Sequence, residues 1–409
     1  MKVIFEKRKE IPIIHSSDVV VLGGGPAGVS AAISAARMGV DVTLIERYGH
    51  LGGQATGGLV IVLCGLTDGK NQIIKGLCQE IIDELKAMNA VKWRRQDVVF
   101  DPEALKYVFD CNLQRYNIKA YFHSFACSLI SEDNKAKYVI TESKSGRNAI
   151  QGKIFIDATG DGDTAKWCDV PYEKLDKEKL LPISLTFRVG NVNIKKARRF
   201  VEERPAEYSK IIHAQSQENL DLKLNGWIGT LNESEVWFDV IFIKNVDATS
   251  IEDLTFAEIE GREMVRKVLE LYRNIPGFKD ANLIDTAPQI GCRESRRIIG
   301  EYYLEKKDLN NEFEDSICRA NNIFSELGKS ISIPFRCLIP KRIDNLLYAG
   351  RCISVSHEIL DIVREIPCCI ATGQAAGTAA ALAIRKEINP GDINIKELQD
   401  NLTTQNVII

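Results

Sequence analysis

The feature that most constrains this chain is a glycine-rich turn between a predicted strand and a predicted helix. An apolar segment at residues 18–22 leads into the run Gly23-Gly24-Gly25-Pro26-Ala27-Gly28, which opens an alanine-rich segment at residues 27–38. Spacing alone would indicate little, but a G-x-G-x-x-G turn in this context is typical of a dinucleotide site. Gly23 allows the tight turn, Gly25 lets the backbone approach a pyrophosphate, and Gly28 lets helix and strand pack closely.

A carboxylate follows this turn at the spacing that a ribose requires. Residues 41–46 are predicted to form the second strand of a βαβ unit, and Glu46 ends that strand 23 residues after Gly23. Its side chain could accept hydrogen bonds from a ribose diol and would repel the extra phosphate of NADP. The alternative is a glycine-rich turn in an α/β domain without a nucleotide. The combination of strand, helix and acid disfavours that alternative.

The rest of the chain reads as a discontinuous first unit with a second unit inserted. Helices are predicted at residues 71–89 and 101–115, and strands with a period of two at residues 119–123, 127–131, 137–142 and 150–156 fit a meander. After Asp163 the sequence is more charged, with alternating stretches at residues 184–189 and 236–243 and a helix at residues 251–273. Near Lys341 the first pattern returns, with a strand at residues 345–349 and a helix at residues 368–386. We therefore predict units at residues 1–170, 171–340 and 341–409.

Composition and charge exclude several classes of function. With 409 residues, 45% of them hydrophobic, the chain can bury a large core. The formal net charge is -3 and basic residues are spread along the chain, so we expect no nucleic-acid partner. The run Lys92-Trp93-Arg94-Arg95 is interpreted as a solvated edge. Residues 1–10 lack the apolar stretch of a secretory signal, and residues 368–384 are too short and too polar for a membrane span.

The cysteines indicate a reducing compartment. There are eleven of them, an odd number, and none forms the C-x-x-C pair of a zinc ribbon or a dithiol redox site. We therefore expect free thiols, a cytoplasmic location and no metal site. A redox role for the adjacent Cys368 and Cys369 stays open, although neighbouring cysteines rarely form a relaxed disulfide.

Five motifs follow one another along the chain. They are residues 18–28 with Ile45-Glu46-Arg47 and residues 51–56, then residues 157–163, residues 291–297, residues 349–352 and residues 371–377. Together they resemble the FAD-dependent oxidoreductase family of the glutathione-reductase-like flavoproteins, more distantly fumarate reductase flavoproteins and geranylgeranyl reductases. The pair Gly52-Gly53, soon after the acidic residue, is similar to the FAD signature of that superfamily. NAD domains generally lack it.

The resemblance implies an α/β fold with FAD as cofactor. It implies a Rossmann-like FAD-binding domain, discontinuous in sequence and built on a parallel sheet plus a β-meander, with an inserted α+β substrate domain. By position, the pyrophosphate residues would be Gly23, Gly25, Pro26, Ala27 and Gly28, with Glu46 and Arg47 at the adenosine, Ala126 at the adenine, and Gly52, Gly53, Gln54 and Thr56 at the flavin. Ala158, Thr159 and Gly160 would return to the dinucleotide, and Gly350 and Arg351 would meet the pyrophosphate and ribityl chain.

The final helix has a predicted role of its own in this resemblance. Its N-terminus, around Thr372, Gly373 and Gln374, would direct its dipole at the isoalloxazine and stabilise negative charge there. Asp361-Ile362 departs from the expected pattern, because small residues would be expected on a segment that passes the flavin.

Candidate side chains for proton transfer and substrate binding lie in two segments. His357 lies between the Gly350 motif and the final helix, and histidine titrates near neutrality, so we predict that it transfers a proton. A histidine hydrogen-bonded in a loop is equally compatible with its position. Arg293 and Glu294 could clamp a carboxylate or hydroxyls, whereas Arg296 and Arg297 fit an ion-paired network between the domains better. Arg364 is a further candidate anion anchor, with a structural ion pair as the alternative.

These features predict an FAD-dependent dehydrogenase or reductase that transfers a hydride between flavin N5 and a small polar substrate, at a C–OH or C–C bond. One alternative is an electron-transfer subunit of a larger complex, because the sequence has no second G-x-G-x-x-G for nicotinamide. Another is a flavin hydroxylase or geranylgeranyl-reductase-like enzyme, prompted by Asp161-Gly162-Asp163. We expect a small-molecule substrate and no nucleic acid or membrane partner, and leave open a redox partner protein and a homo-oligomer.

Overall fold

The computed structural model describes residues 3–4, 9–213, 226–321, 324 and 328–409, so most of the segment 1–10 lies outside the described residues. The helices are, in chain order, α1 (Pro26–Arg37), α2 (Leu77–Ala87), α3 (Pro102–Arg115), α4 (Asp163–Trp167), α5 (Ile194–Glu203), α6 (Pro205–His213), α7 (Ile251–Tyr272), α8 (His357–Val363), α9 (Ile366–Lys386) and α10 (Ile395–Thr404). The strands are β1 (Ile13–Leu22), β2 (Val42–Ile45), β3 (Val62–Leu63), β4 (Val91–Arg94), β5 (Asp97–Phe100), β6 (Lys119–Tyr121), β7 (Phe125–Glu132), β8 (Lys135–Ser143), β9 (Gly146–Asp157), β10 (Tyr172–Glu173), β11 (Ile183–Ser184), β12 (Phe187–Gly190), β13 (Trp227–Gly229), β14 (Val236–Phe238), β15 (Phe242–Ile243), β16 (Asn282–Thr286), β17 (Arg297–Ile298), β18 (Ser316–Asn321), β19 (Ser330–Pro334) and β20 (Leu346–Tyr348).

A parallel sheet with an antiparallel extension forms the centre of the larger unit. Its strands run in the order β6-β2-β1-β9-β8-β7, and β20 pairs with the end of β9. Strand β1 is parallel to both β2 and β9, whereas β7, β8 and β9 form antiparallel hairpins. The residues of β1 from Val19 to Leu22 are fully buried, as expected for a strand covered on both faces. The predicted parallel sheet with a meander is confirmed.

Two helices pack against each other beside this sheet through small residues. A Cβ added at Gly377 of α9 would lie 2.1 Å from the carbonyl oxygen of Ala31 in α1, so glycine sets the distance between the two helices. By length and composition alone α9 could cross a membrane, but its apolar stretch is entirely buried in the protein. That burial fits the core helix predicted from the sequence. The N-terminal ends of α1 and α9 border the same cavity.

Several predicted helices have different limits in the structure. Helix α3 begins as predicted after Asp101, whose carboxylate accepts hydrogen bonds from the first turn. Helix α2 begins at Leu77, later than predicted, because Gly76 has a positive φ of 59° that an α-helix does not contain. Helices α4, α5, α6, α8 and α10 were not predicted, since each is too short for a periodic apolar pattern to stand out in the sequence.

The inserted part has its own hydrophobic core. An antiparallel sheet in the order β13-β14-β12-β16 packs against α7, and Phe238 stacks on Phe187 and meets Tyr272 edge to face. The alternating stretches predicted at residues 184–189 and 236–243 each contain two short strands, β11 with β12 and β14 with β15. The predicted helix at residues 251–273 is confirmed as α7.

The chain rejoins the larger core before the position predicted from its sequence. Buried apolar side chains from Ile298 to Leu338 belong to the core of the larger unit, together with the hairpin of β18 and β19. The core of the inserted part draws on residues 183–290 and on Leu59. The segment before Lys341 lacks the glycine-rich pattern of the first unit, which is why its sequence did not assign it to that core.

Candidate functional site

One large cavity lies between the sheet of the larger unit and the inserted part. Its volume is about 500 Å³, and its wall combines residues of both parts. The predicted site residues in its wall are Gly23, Gly25, Pro26, Ala27, Glu46, Arg47, Gly53, Gln54, Ala126, Ala158, Thr159, Gly160, Arg293, Gly350, Arg351 and Arg364. Others, all within the described part of the chain, lie outside that wall: Gly28, Gly52, Thr56, Glu294, His357, Thr372, Gly373 and Gln374.

The glycine-rich turn shapes the wall at the start of α1. Gly23 has a φ of 95°, and a Cβ at Gly28 would lie 1.8 Å from the carbonyl oxygen of Gly23, so strand and helix are in contact there. A Cβ at Gly25 would meet no protein atom within 4 Å, and no side chain caps the helix. The first amide groups of α1 therefore border open space, an arrangement that suits a phosphate group.

Glu46 ties this turn to the end of β2. The residue is buried, and its carboxylate oxygens accept the N–H groups of Gly24 at 2.6 Å and of Tyr48 at 2.8 Å. A carboxylate has about four lone-pair sites, so it can accept further hydrogen bonds while it holds these two. The guanidinium of Arg47 stacks on the Tyr48 ring, 4.9 Å from its centre.

The second glycine pair forms a turn that brings Gln54 to the cavity. Gly52 has a φ of 99° and packs closely against Thr56, so these two residues shape the turn instead of the wall. Nε2 of Gln54 donates to the carbonyl of Ile290 at 3.1 Å, which joins the turn to the inserted part. Among the described residues, Oε1 of Gln54 and Oε1 of Gln289 are buried without a hydrogen-bond partner. Such orphaned atoms at a cavity wall fit a site that holds a ligand.

A buried aspartate organises the loop that follows β9. Asp157 accepts hydrogen bonds from the N–H and hydroxyl groups of Thr159 and Thr164, at distances from 2.6 to 3.0 Å. The hydroxyl of Tyr348 in β20 lies 2.8 Å from that of Thr164. This network holds Thr159 and Gly160 at the cavity wall.

An ion pair between Asp161 and Arg351 forms the next part of the wall. Their closest atoms are 2.9 Å apart, and Ser295 donates to the same carboxylate oxygen at 2.6 Å. Burial opposes ionisation of Asp161, but Arg351 and Ser295 hold its pKa below the ordinary value. Nη1 of Arg351 also lies 2.8 Å from Sγ of Cys292. Burial raises the pKa of Cys292 to about 11, so its thiol is protonated at neutral pH.

The pKa of Asp163 is shifted in the opposite direction to that of Asp161. Burial and the neighbouring carboxylates of Asp161 and Asp157 raise the pKa of Asp163 to about 6. Arg296 lies only 2.9 Å away, so a single guanidinium does not compensate for burial beside two other acids. The contact also ties this loop to residues 293–297, in agreement with the ion-paired interpretation of Arg296.

The final helix begins earlier than predicted, and different residues border the cavity at its start. Its first residue is Ile366, followed by a proline in the first turn, as is common at helix starts. Glu365, Ile366 and Cys369 line the cavity.

Thr372, Gly373 and Gln374 therefore lie inside the helix and have packing roles. The hydroxyl of Thr372 accepts the N–H of Gly350 at 3.1 Å. Oε1 of Gln374 accepts the N–H of Leu77 at 2.9 Å. Their predicted place at the N-terminus of the final helix is wrong, because that helix begins at Ile366; their predicted place at the flavin stays a prediction.

The cysteines are free thiols, as predicted. Cys369 lies at the cavity wall, where its Sγ is 3.3 Å from the carbonyl oxygen of Arg364. Cys368 contacts Cys318 of β18 in the core, and that contact, followed by burial, raises the pKa of Cys368. The two adjacent cysteines therefore have different surroundings, Cys369 at the cavity wall and Cys368 beside Cys318 in the core.

His357 and Glu294 lie outside the cavity wall and contact each other. Nδ1 of His357 lies 2.9 Å from both carboxylate oxygens of Glu294, whose side chain is fully buried. Glu294 also accepts from Arg297 at 3.1 Å and from the N–H of Leu181 at 2.9 Å. Arg297 pairs in addition with Glu173, which confirms the ion-paired interpretation of that arginine. In the structure both side chains contact protein groups, and the substrate contacts predicted for them stay a prediction.

A cluster of charged residues surrounds the start of α9 at the cavity wall. We call Asp239, Arg293, Asp361, Arg364 and Glu365 the charged cluster. Arg293 donates to both oxygens of Asp239 at 3.2 Å, and Arg364 donates twice to Asp361, at 2.9 and 2.6 Å. Burial lowers the pKa of Arg293 and raises that of Glu365.

Some cavity residues were not predicted to belong to the site. Arg94 lies in the cavity wall, although its basic run was interpreted as a solvated edge; Trp93 beside it is 53% exposed. Asp239 and Glu365 also line the cavity. A signal for Glu365 existed in the sequence, since Pro367 marks the first turn of a helix and the residue before that turn begins it.

Comparison with known families gives one match that covers most of the chain. The model of a family described as FAD dependent oxidoreductase matches residues 18–402. Matches to curated proteins are short and local. NADH oxidase of Thermoanaerobacter brockii is 49% identical over 51 residues, which is 12% of this chain and 8% of that protein. Dihydrolipoyl dehydrogenase of Trypanosoma brucei brucei is 50% identical over 46 residues, 11% of this chain and 10% of that protein. The chain thus spans about a tenth of these relatives.

Solved structures share the fold over nearly the whole chain. A geranylgeranyl bacteriochlorophyll reductase-like protein from Thermoplasma acidophilum aligns with a TM-score of 0.55 and 14% identity, covering 96% of this chain and 84% of that one. The p-nitrophenol 4-monooxygenase of Pseudomonas putida aligns with a TM-score of 0.51 and 11% identity, covering 95% and 84%. At such identities the likeness concerns the fold alone.

Proposed function

The chain belongs to the family of FAD-dependent oxidoreductases, and on that premise we propose that it is a dehydrogenase or reductase for a small polar substrate with an anionic group. When bound, FAD supplies the acceptor or donor of a hydride. One observation carries the proposal: the residues of the dinucleotide motif line the same cavity as Arg293, an arginine that pairs with Asp239 of the inserted part. A substrate held by that arginine would therefore share the space of the cofactor.

Residues of the larger unit fit the dinucleotide. The space beside Gly25, which a Cβ would enter without meeting a protein atom, would take the pyrophosphate next to the amides of α1. Glu46 would accept from the ribose, and Ala126 would meet the adenine. Gly53 and Gln54, together with the start of α9, would border the flavin. These assignments follow the family pattern position by position.

Arginines of the charged cluster would recognise the anionic group. Guanidinium groups have several N–H donors in a planar fork that matches a carboxylate. Arg293 uses part of this set on Asp239 and on the carbonyl of Pro182, and the rest of its donors remain for a ligand. Arg364 lines the same wall. Because their acidic partners already hold these arginines in place, the arginines would lose little further side-chain entropy when they bind and orient a substrate.

Anaerobic reduction of the bound flavin tests this proposal. We expect the visible absorbance of the oxidised flavin to bleach when the correct hydride donor is added from a panel of hydroxy acids, sugar acids and saturated acids. Unsaturated acids accept a hydride, so they are tested in the opposite direction, by anaerobic reoxidation of flavin that has first been reduced. Neutral alcohols of similar size serve as the control, and we expect them to react at least tenfold more slowly. Bleaching by neutral compounds alone would overturn the anionic class, and no bleaching by any of them would overturn the dehydrogenase assignment.

A hydroxylase or geranylgeranyl-reductase-like activity is the second candidate. It is favoured by the fold shared with a geranylgeranyl bacteriochlorophyll reductase-like protein and a p-nitrophenol 4-monooxygenase and by the place of Asp161 and Asp163 in the cavity wall. Consumption of NADPH together with oxygen by the purified protein would support it. Indifference to both would reject it, and turnover by the isolated chain would equally reject a role limited to electron transfer within a complex.

A further inference from the structure

Glu365 lies at the start of α9. It is the residue before the first turn, where the short polar side chains of Ser, Thr, Asp and Asn accept hydrogen bonds from the backbone of that turn. In this structure its side chain makes no such capping contact. It lines the cavity instead, and its side chain is 32% exposed. The carboxylate is therefore available to a molecule bound in the cavity.

The other members of the charged cluster leave Glu365 without a hydrogen-bonded cation. Arg293 is engaged by Asp239 and Arg364 by Asp361. The distance from Arg364 Nη1 to Glu365 Oε1 is 3.6 Å, too long for a hydrogen bond. With Glu365 ionised the cluster carries one net negative charge, and with Glu365 protonated it carries none. The charged cluster can therefore surround Glu365 in either its ionised or its protonated form.

The groups around Glu365 act on its protonation in opposite directions. Burial and the carboxylates of Asp361 and Asp239 raise its pKa, whereas Arg364 and Arg293 lower it. The thiols of Cys64, Cys368 and Cys369 are close enough to feel its charge. The net effect raises the pKa of Glu365, which brings a carboxyl nearer to the pH at which general acid-base catalysis is most effective.

We propose that Glu365 is the catalytic acid-base residue of this cavity, which exchanges the proton that accompanies the redox step. The inference rests on the function proposed above. In the oxidation of an alcohol, the C–H bond of the substrate breaks and its hydride reduces FAD. The O–H bond breaks as well, its proton goes to the carboxylate of Glu365, and the carbon-oxygen double bond forms. In a reduction the same residue returns the proton.

The experiment uses Glu365→Gln, which keeps the shape of the side chain and removes its titration. Glu365→Asp is the second variant, because it retains a carboxyl. The matched control is Glu358→Gln, which removes an exposed carboxylate of α8. FAD content from the visible spectrum and thermal unfolding establish that each protein is folded and loaded. The midpoint potential of the bound flavin is then measured against pH by equilibration with redox dyes, which needs no substrate.

We expect the wild-type plot of midpoint potential against pH to change slope where Glu365 titrates, because a carboxyl beside the flavin binds its proton more tightly once the flavin is reduced. Glu365→Gln should lose that change, Glu365→Asp should keep it at a shifted pH, and Glu358→Gln should match the wild type. A loaded Glu365→Gln protein with the wild-type plot would overturn this inference alone. Failure of the wild type to bind FAD would overturn the proposed function, and this inference with it.

With a compound that bleaches the wild-type flavin, the rate of anaerobic reduction gives a second readout. We expect Glu365→Gln to reduce its flavin roughly 10²- to 10⁴-fold more slowly, the usual contribution of a general acid or base. Glu365→Asp should recover part of that loss. A reduction rate in Glu365→Gln within twofold of the wild type would contradict the role assigned to this residue.

Discussion

Gly373 of α9 lies directly against the backbone carbonyl of Ala27 in α1. A Cβ added to Gly373 would come within 2.1 Å of that oxygen. Because Ala27 is in the first turn of α1 and Gly373 lies two turns into α9, this contact sets how the starts of the two helices are placed at the cavity. Gly373 therefore shapes the site although it lies outside the cavity wall.

Gly373→Ala should destabilise the protein and weaken its hold on FAD at the same time. The added methyl must push the helices apart, and such overpacking typically costs about 1–3 kcal/mol. Urea unfolding and FAD titration measure the two effects. Gly391→Ala is the control, because a Cβ there would make only an ordinary contact at 3.7 Å with Ile339. Equal stability and equal FAD affinity of the two variants would show that the contact between α1 and α9 is not needed for either property.

Gly25→Ala should separate cofactor binding from folding. The methyl would project into space without a protein atom within 4 Å, and the φ of -69° at Gly25 is one that alanine adopts readily. We expect the free energy of unfolding of the protein without cofactor to stay within about 0.5 kcal/mol, while the affinity for FAD falls at least tenfold.

Gly28→Ala is the matched contrast to that variant. Its methyl would lie 1.8 Å from the carbonyl oxygen of Gly23, so we expect a loss of folded protein before any effect on the cofactor can be measured. Thermal unfolding of the two variants side by side tests the difference. If Gly25→Ala binds FAD as well as the wild type does, the pyrophosphate is not beside Gly25.

Glu46 should affect both the cofactor and the turn. Glu46→Ala removes the acceptor of two backbone N–H groups, and each buried donor left without a partner costs roughly 1–3 kcal/mol. Glu46→Gln keeps one acceptor oxygen, so it should lose less stability while it weakens FAD binding about 10- to 100-fold, in line with a lost charged hydrogen bond. Fluorescence titration with FAD and urea unfolding give the two values, and an unchanged FAD affinity in Glu46→Gln would refute the ribose contact.

Asp163 should make stability depend on pH in the acidic range. Its pKa is raised from 3.8 to about 6, so its contribution to stability is complete below the unfolded pKa and is lost as the pH rises through the folded one. Asp163→Asn should remove that loss, and its stability relative to the wild type should rise by roughly 1–3 kcal/mol between about pH 4 and pH 7. Asp176→Asn, which changes an exposed carboxylate, should show no such trend. A constant difference between Asp163→Asn and the wild type would contradict the raised pKa.

His357 should behave as a structural residue. His357→Gln removes a contact with a fully buried carboxylate, so we expect a loss of roughly 1–2 kcal/mol in the free energy of unfolding. FAD affinity and the pH dependence of the flavin potential should match those of the wild type, because His357 is outside the cavity wall. If His357→Gln changed the pH dependence of the flavin potential, His357 would be a proton donor or acceptor for the site.

The sequence predicted best where local backbone requirements decide the structure. Gly23 and Gly28 are glycines because a turn and a close approach demand them, and those demands act between neighbours in the chain. The end of β2 at Glu46 follows from the same βαβ unit. Such features need no knowledge of distant residues, so their spacing was informative.

The side chains that act on a substrate depend on contacts between distant segments, and here the sequence was a weaker guide. His357 pairs with a residue 63 positions away, which its own segment cannot reveal. Thr372 and Gln374 resemble ligand-binding residues, yet they hold neighbouring loops and helices in place. Glu365 was not predicted as a site residue, because the sequence placed the start of α9 two residues too late.

A crystal structure of the protein grown with FAD would test the central claim most directly. We predict density for the dinucleotide in the cavity, with the pyrophosphate beside Gly25 at the start of α1, a ribose hydroxyl on Glu46 and the isoalloxazine next to the start of α9. Density for the dinucleotide elsewhere on the protein, or with its ring end at Glu46, would contradict the account.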